Sequence, residues 1–202
     1  METGIRSDKN HLYPVFLKLD QLKILLVGAG NVGLEKLQSL LSNSPNTRIT
    51  VIAPFIKDEV RDFLKDFPNC QIIRREFQPC DIENKELIFL ATDNALLHAE
   101  IKRSAAVKGI LVNVADTPGL CDFYLGSIVQ KGSLKIAIST NGKSPTIAKR
   151  IKEMMNDLLP EEIDDLLDNM QSIRNEMKGS FHDKVKQLNE LTNALVAEKS
   201  SL

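Results

Sequence analysis

The 202-residue chain has no tryptophan, two tyrosines and eight phenylalanines. So few aromatic rings argue against a stacking surface for single-stranded nucleic acid, and a net charge of −1 does not suggest a general nucleic-acid binder. Cysteine and histidine are equally scarce. Cys70, Cys80 and Cys121 are an odd number without CxxC spacing, accompanied only by His11, His98 and His182, which excludes a ready-made zinc site. Each cysteine reads as a small, buried or half-buried apolar residue. No apolar run approaches the roughly eighteen residues of a membrane span, and the start "METGIRSDKNH" lacks the apolar centre of a secretory signal. Together these absences predict a cytoplasmic protein with no resident metal, no membrane and no nucleic-acid partner.

What is present is an ordinary apolar share of 43%, enough for a real core. After "YPVFLKLD", an edge strand or lead-in, "KILLVGAG" is a continuous apolar run ending in glycine, as a strand buried on both faces reads. Helical spacing follows from Asn31 to about Ser42. The alternation continues: "RITVIAP" as strand, "IKDEVRDFLKDF" as helix, "CQIIRREF" and "ELIFLATD" as strands, "NALLHAEIKRSAAVKG" as helix, "ILVNVAD" as strand. This order predicts an α/β fold, a Rossmann-like parallel sheet with helices on both faces. Past Asp116, "FYLGSIVQKGSLKIAIST" reads as a β-hairpin around a Lys-Gly turn, and "NGKSP" opens a helix with Ser144 as N-cap and Pro145 at its first position. The expected organisation is a nucleotide-binding domain over residues 1–116, a small β-hairpin dimerisation segment over 117–144 and a helical C-terminal domain over 145–202. The amphipathic tail, with Leu158, Leu159, Ile163, Leu166, Leu167 and Met170, needs a burial partner. A homodimer would supply one.

The chemistry centres on "VGAGNVG". Gly28 permits a tight turn, Gly30 lets the backbone approach a pyrophosphate, Gly33 allows close helix–strand packing, and the helix N-terminus at Asn31 and Val32 offers N–H donors. About twenty residues on, where an acid normally accepts the ribose 2′-OH, the second strand ends in Ala53, Pro54 and Phe55. No arginine sits there either, which favours NAD over NADP. Ligands in open parallel sheets bind at the carboxyl ends of strands, so Pro54, Thr92-Asp93 and Asn113 to Asp116 should share one rim. Its carboxylates are Asp93 and Asp116. Asp93 reads equally as an N-cap, and Asp116 as the opening residue of an "ADTPG" turn. Downstream, residues 123–152 contain no acid but carry Lys131, Lys135, Lys143, Lys149, Arg150 and Lys152. This strip suits a polyanionic ligand, or is a solvated face balanced by the acidic segment after it.

Taken together, "YPVFLKL", "ILLVGAGNVGLEKLQSLL", "ITVIAP", "FLATD", "VNVAD" and "IAISTNGKSPTIAKRIK" resemble the siroheme-synthesis precorrin-2 dehydrogenases, some of which also act as sirohydrochlorin ferrochelatases. The resemblance covers roughly residues 12 to 160. It implies NAD-dependent oxidation of precorrin-2 to sirohydrochlorin, tetrapyrroles rich in carboxylates, with iron as a chelation substrate in members that insert it. It further implies a catalytic role for Asp116 and nucleotide contacts at Asn31, Val32, Pro54 and Phe55, beside Thr92 and Asp93. Substrate contacts fall at Asn113, Thr140, Asn141, Lys143 and Ser144. Two departures stand out. "DFYLG" lacks the proline common at the hairpin start in relatives, and the methyltransferase domain fused to some relatives is missing, so no methylation is expected. Competing readings are an NAD-sensing module without catalysis, and an NAD dehydrogenase of another anionic small molecule.

Overall fold

A computed structural model describes residues 10–192; residues 1–9 and 193–202 of the expected first and last segments lie outside the described residues. Two compact units are present, one over residues 13–125 and one over 126–192 with residues 10–12. The hairpin expected as a segment of its own therefore shares a unit with the helices that follow it. Residues 117–125 belong with the sheet.

In the first unit, β1 (Lys23–Ala29), β2 (Arg48–Ile56), β3 (Cys70–Ile73), β4 (Leu87–Leu90) and β5 (Leu111–Val114) form one parallel sheet in the order β3-β2-β1-β4-β5. Successive side chains of a strand face opposite sides, and here both sides are apolar. Ile24 and Leu26 pack with Leu37, Leu40 and Leu41 of α1 (Asn31–Asn43) and with Val60 and Leu64 of α2 (Asp58–Leu64). Leu25 and Val27 pack with Ile101 and Ala105 of α3 (Ala95–Val107) on the other face. This two-sided burial is why the strands read as unbroken apolar runs.

Of the segment expected as an edge strand or lead-in, residues 10–18 form no regular structure. "CQIIRREF" contributes only Cys70–Ile73 to the sheet. Arg74, Arg75 and Glu76 leave the ladder because three charged side chains in a row cannot be buried between covering layers. Strand order reverses between β1 and β4, the switch point where open α/β sheets leave a crevice. The pairing of β1 with β2 breaks between Val27 and Ala29, which frees Gly28 to turn out of the ladder.

In the second unit, β6 (Ser127–Lys131) and β7 (Leu134–Ile138) pair antiparallel around Gly132-Ser133. Gly132 has φ +50, and a positive φ at the first central residue suits a two-residue hairpin turn. Three helices follow: α4 (Pro145–Leu158), α5 (Ile163–Glu176) and α6 (Phe181–Thr192). Ser144 caps α4 by accepting from the Ile147 amide at 3.2 Å, with Pro145 at the first helical position. Within residues 126–192 the buried apolar side chains are Val129 and Ala148 alone; Ile147, Met154 and Leu158 are exposed.

Candidate nucleotide-binding and catalytic site

A cavity of about 790 Å³ lies over the carboxyl ends of the strands in the first unit. The glycine turn and the start of α1 form its middle, with Gly28, Gly30, Asn31 and Val32 in the lining. Gly28 and Gly33 are required for different reasons. Gly28 has φ +105, and a Cβ there would lie 2.3 Å from the carbonyl oxygen of Ala91. A Cβ on Gly33 would lie 2.4 Å from the carbonyl oxygen of Gly28, so α1 can approach β1 only without a side chain. At Gly30 a Cβ would meet nothing within 4 Å, which leaves open space beside backbone and helix N-terminus. These are the demands of a turn that seats a pyrophosphate, and the residues present fit a dinucleotide.

On one side of the turn, Pro54 and Phe55 from β2 line the cavity together with Glu76 and Phe77, which follow β3. Arg75 holds that segment. Its Nη1 donates to the Glu76 carbonyl at 2.8 Å, and Nη1 and Nη2 clasp Asp81 at 2.7 and 2.6 Å. The Arg75 guanidinium, with the Gln78 amide, holds the Asp81 carboxyl below its ordinary range despite burial.

On the other side, Ala91 to Asn94 follow β4, and Ala115 and Asp116 follow β5. Asp93 does not cap α3. Asn94 takes that position, its Oδ1 accepting from the Leu97 amide at 3.0 Å, so Asp93 stays an exposed carboxylate on the cavity. Thr92 Oγ1 accepts from the Asn94 amide at 3.3 Å and lies 2.8 Å from His98 Nε2. His98 is 4% exposed, and burial pushes its imidazole below its ordinary value against the pull of Asp93, which favours the neutral ring. Asp116 is exposed and has φ +55, a backbone region few non-glycine residues occupy although Asp tolerates it.

Asn113, expected among substrate contacts, is placed elsewhere. It is 5% exposed, donates through Nδ2 to the Phe123 carbonyl at 2.9 Å and is absent from the cavity lining. Mid-strand, it faces the chain returning past β5 rather than the strand end.

Thr140, Asn141, Lys143 and Ser144 lie together in the second unit, in the turn before α4. There Thr140 Oγ1 donates to the Ser144 carbonyl at 3.1 Å and accepts from the Ser144 amide at 3.3 Å, and Asn141 has φ +54. The basic strip is partly committed to its own unit. Lys131 Nζ binds Glu161 and the Leu159 carbonyl, both at 2.6 Å, and Arg150 pairs with Glu153 at 2.7 Å.

Sequence reasoning missed Glu76, Phe77, Asn94 and Leu97 in the lining. The rule that found the rim was applied to β2, β4 and β5; applied to the end of β3, it would have reached Glu76. Among the described residues, no group of His, Cys, Asp and Glu is placed to hold a metal ion, and no helix is long and apolar enough to cross a membrane.

Residues 15–127 match a family model described as "Putative NAD(P)-binding", and residues 131–158 match one for the sirohaem biosynthesis protein central region. A siroheme synthase of Pseudoalteromonas atlantica is 32% identical over 175 residues, covering 87% of this chain and 37% of that protein. One from Psychrobacter cryohalolentis is 37% identical over 149 residues, covering 74% of this chain and 28% of its own length. The chain thus spans about a third of the curated relatives it matches. In fold it is similar to the solved structure of SirC, a precorrin-2 dehydrogenase, with a TM-score of 0.68 at 24% identity over 89% of each chain.

Proposed function

The chain belongs to the siroheme-synthesis family built on an NAD(P)-binding domain, and on that premise we propose that it oxidises precorrin-2 to sirohydrochlorin with NAD. The observation that carries the reading is Asp116, an exposed carboxylate on the same cavity as the glycine turn, held at φ +55. Backbone held in a sparsely populated region beside a ligand cavity points to a functional role.

The reaction takes two electrons and two hydrogens from the macrocycle, one of them leaving as a proton. Bound NAD supplies the two-electron acceptor. The chain's own contributions are positional and acid–base: the glycine turn with Asn31 and Val32 at the α1 N-terminus would hold the pyrophosphate, Pro54 and Phe55 would border the nucleotide on the β2 side, and Thr92 and Asp93 border the side nearer Asp116. Asp116 accepts the departing proton and passes it to solvent, which its exposure permits. The same carboxylate suits removal of pyrrole N–H protons during iron insertion, a second activity in which ferrous iron is substrate. In the second unit, Thr140, Asn141, Lys143 and Ser144 are assigned to substrate carboxylates, with backbone amides as donors because the two hydroxyls serve the turn and the helix cap.

A homodimer completes the proposal, with catalysis in the cytoplasm and neither membrane nor nucleic acid involved. Among the described residues of the second unit the buried apolar side chains are Val129 and Ala148, with Ile147, Met154 and Leu158 exposed, and a second copy of the chain would supply the core they lack. Light scattering is expected to give twice the chain mass; a monomer contradicts this part.

The test of function is anaerobic incubation of the purified protein with precorrin-2 and NAD, followed by NADH absorbance and the sirohydrochlorin spectrum. Formation of both in equal amounts is expected, and no turnover refutes the activity. Iron insertion into sirohydrochlorin without NAD separates the second activity from the first.

A further inference from the structure

We infer that Glu76 recognises the adenosine ribose and sets a preference for NAD over NADP. The inference rests on the nucleotide-binding reading of the cavity, not on the identity of the oxidised substrate. In this fold the pyrophosphate sits at the glycine turn after β1, and the adenosine ribose lies toward the end of β2. The order β3-β2-β1-β4-β5 therefore gives the adenosine half to the β2–β3 side and the nicotinamide half to the β4–β5 side. Asp93 and Asp116 are on the nicotinamide side. On the adenosine side β2 ends in Ala53, Pro54, Phe55 and Ile56, none of which can accept from a ribose hydroxyl through its side chain. Glu76, delivered by the neighbouring strand, is the lining carboxylate on that side.

Two features make it a built acceptor rather than a passing surface acid. Its main chain is anchored by the Arg75–Asp81 clasp, so the side chain projects from a fixed point. Its carboxylate has no hydrogen bond or ion pair among the described residues, leaving both oxygens for the vicinal ribose hydroxyls and a negative charge against a 2′-phosphate. Arg74 is the competing influence. Its Nε donates to the Pro54 carbonyl at 3.3 Å, so its charge stands at the same end of the cavity, where it could instead welcome a 2′-phosphate.

Equilibrium titration with NADH and NADPH, read by nucleotide fluorescence, separates these influences without any tetrapyrrole. Wild type is expected to bind NADH at least about tenfold more tightly than NADPH. Glu76→Ala should weaken NADH about tenfold and leave NADPH unchanged or tighter, the loss of one well-placed hydrogen-bonding partner. Glu76→Gln should retain part of the NADH affinity while admitting NADPH, and Arg74→Ala should keep the wild-type preference. An unchanged preference in Glu76→Ala, equal binding of both nucleotides by wild type, or loss of discrimination in Arg74→Ala instead would overturn the inference. Circular dichroism verifies that each variant is folded. If neither nucleotide binds wild type, the nucleotide reading falls with it; if binding behaves as expected but precorrin-2 is not oxidised, only the assigned reaction falls.

Discussion

The carbonyl of Gly28 occupies the space a side chain on Gly33 would need: a Cβ at position 33 would lie 2.4 Å from that oxygen. The contact joins β1 to α1 at the point where the nucleotide turn leaves the sheet. Backbone on both sides leaves nothing flexible to give way.

Gly33→Ala should therefore push α1 from β1, costing about 1–3 kcal/mol as an overpacked contact does. It should also weaken NADH binding, because the helix N-terminus moves with the helix. Chemical denaturation and nucleotide fluorescence measure the two effects, and wild-type affinity in a destabilised protein would separate packing from binding.

Asp81→Asn removes the charge that Arg75 clasps and should destabilise by about 1.5–3 kcal/mol, the range for hydrogen bonds to charged groups. The sign of the pH effect follows from the Asp81 carboxyl being held below its ordinary value of 3.8 in the folded chain. Its contribution is present above that value and lost as pH falls through the lower, folded one. Urea denaturation across acid pH should show this loss in wild type and not in the variant.

His98 acts in a different window. Burial lowers its folded value below the ordinary 6.5, so the unfolded chain binds the extra proton first. Stability from the neutral ring is complete above about 6.5 and declines as pH falls through the folded value. His98→Gln should flatten stability in that range, and a wild-type profile already flat there would contradict the buried neutral ring.

In the second unit, a Cβ on Gly132 would meet the Asp164 carboxyl carbon at 2.2 Å, while Asp164 Oδ1 accepts from the Ser133 amide at 2.7 Å. With φ at +50 as well, Gly132→Ala should cost about 1–3 kcal/mol of backbone strain and crowding. The penalty should be smaller in an Asp164→Ala background, where the crowding partner is gone. Thermal unfolding of the four-member cycle measures that coupling.

The parallel sheet was legible because strands buried on both faces must be apolar at every position, as Ile24 to Val27 are. The glycine turn was legible because the steric demands at Gly28 and Gly33 fall at fixed spacing between an apolar run and a helical one, and the Ser144 cap because its chemistry is local. What could not be read was set by neighbours distant in sequence. Whether Asp93 or Asn94 caps α3 depends on the turn after β4, and the φ of Asp116 depends on how the chain folds back along β5. Asn113 shared a motif with Asp116, yet its side chain turns inward and donates to the Phe123 carbonyl. Glu76 reaches the cavity because β3 stops after Ile73 and pairs with β2, so the segment that follows it shares the rim with the end of β2.

In the proposed reaction the nucleotide cavity and the carboxylate of Asp116 act in one oxidation. This is tested most directly by measuring, for wild type and Asp116→Asn, both NADH affinity and the anaerobic rate of precorrin-2 oxidation by NAD. Asp116→Asn is expected to keep nucleotide affinity within about twofold of wild type and to lower the rate by about 10²-fold or more, the usual contribution of a positioned acid–base group. A variant that oxidises precorrin-2 at the wild-type rate would contradict it.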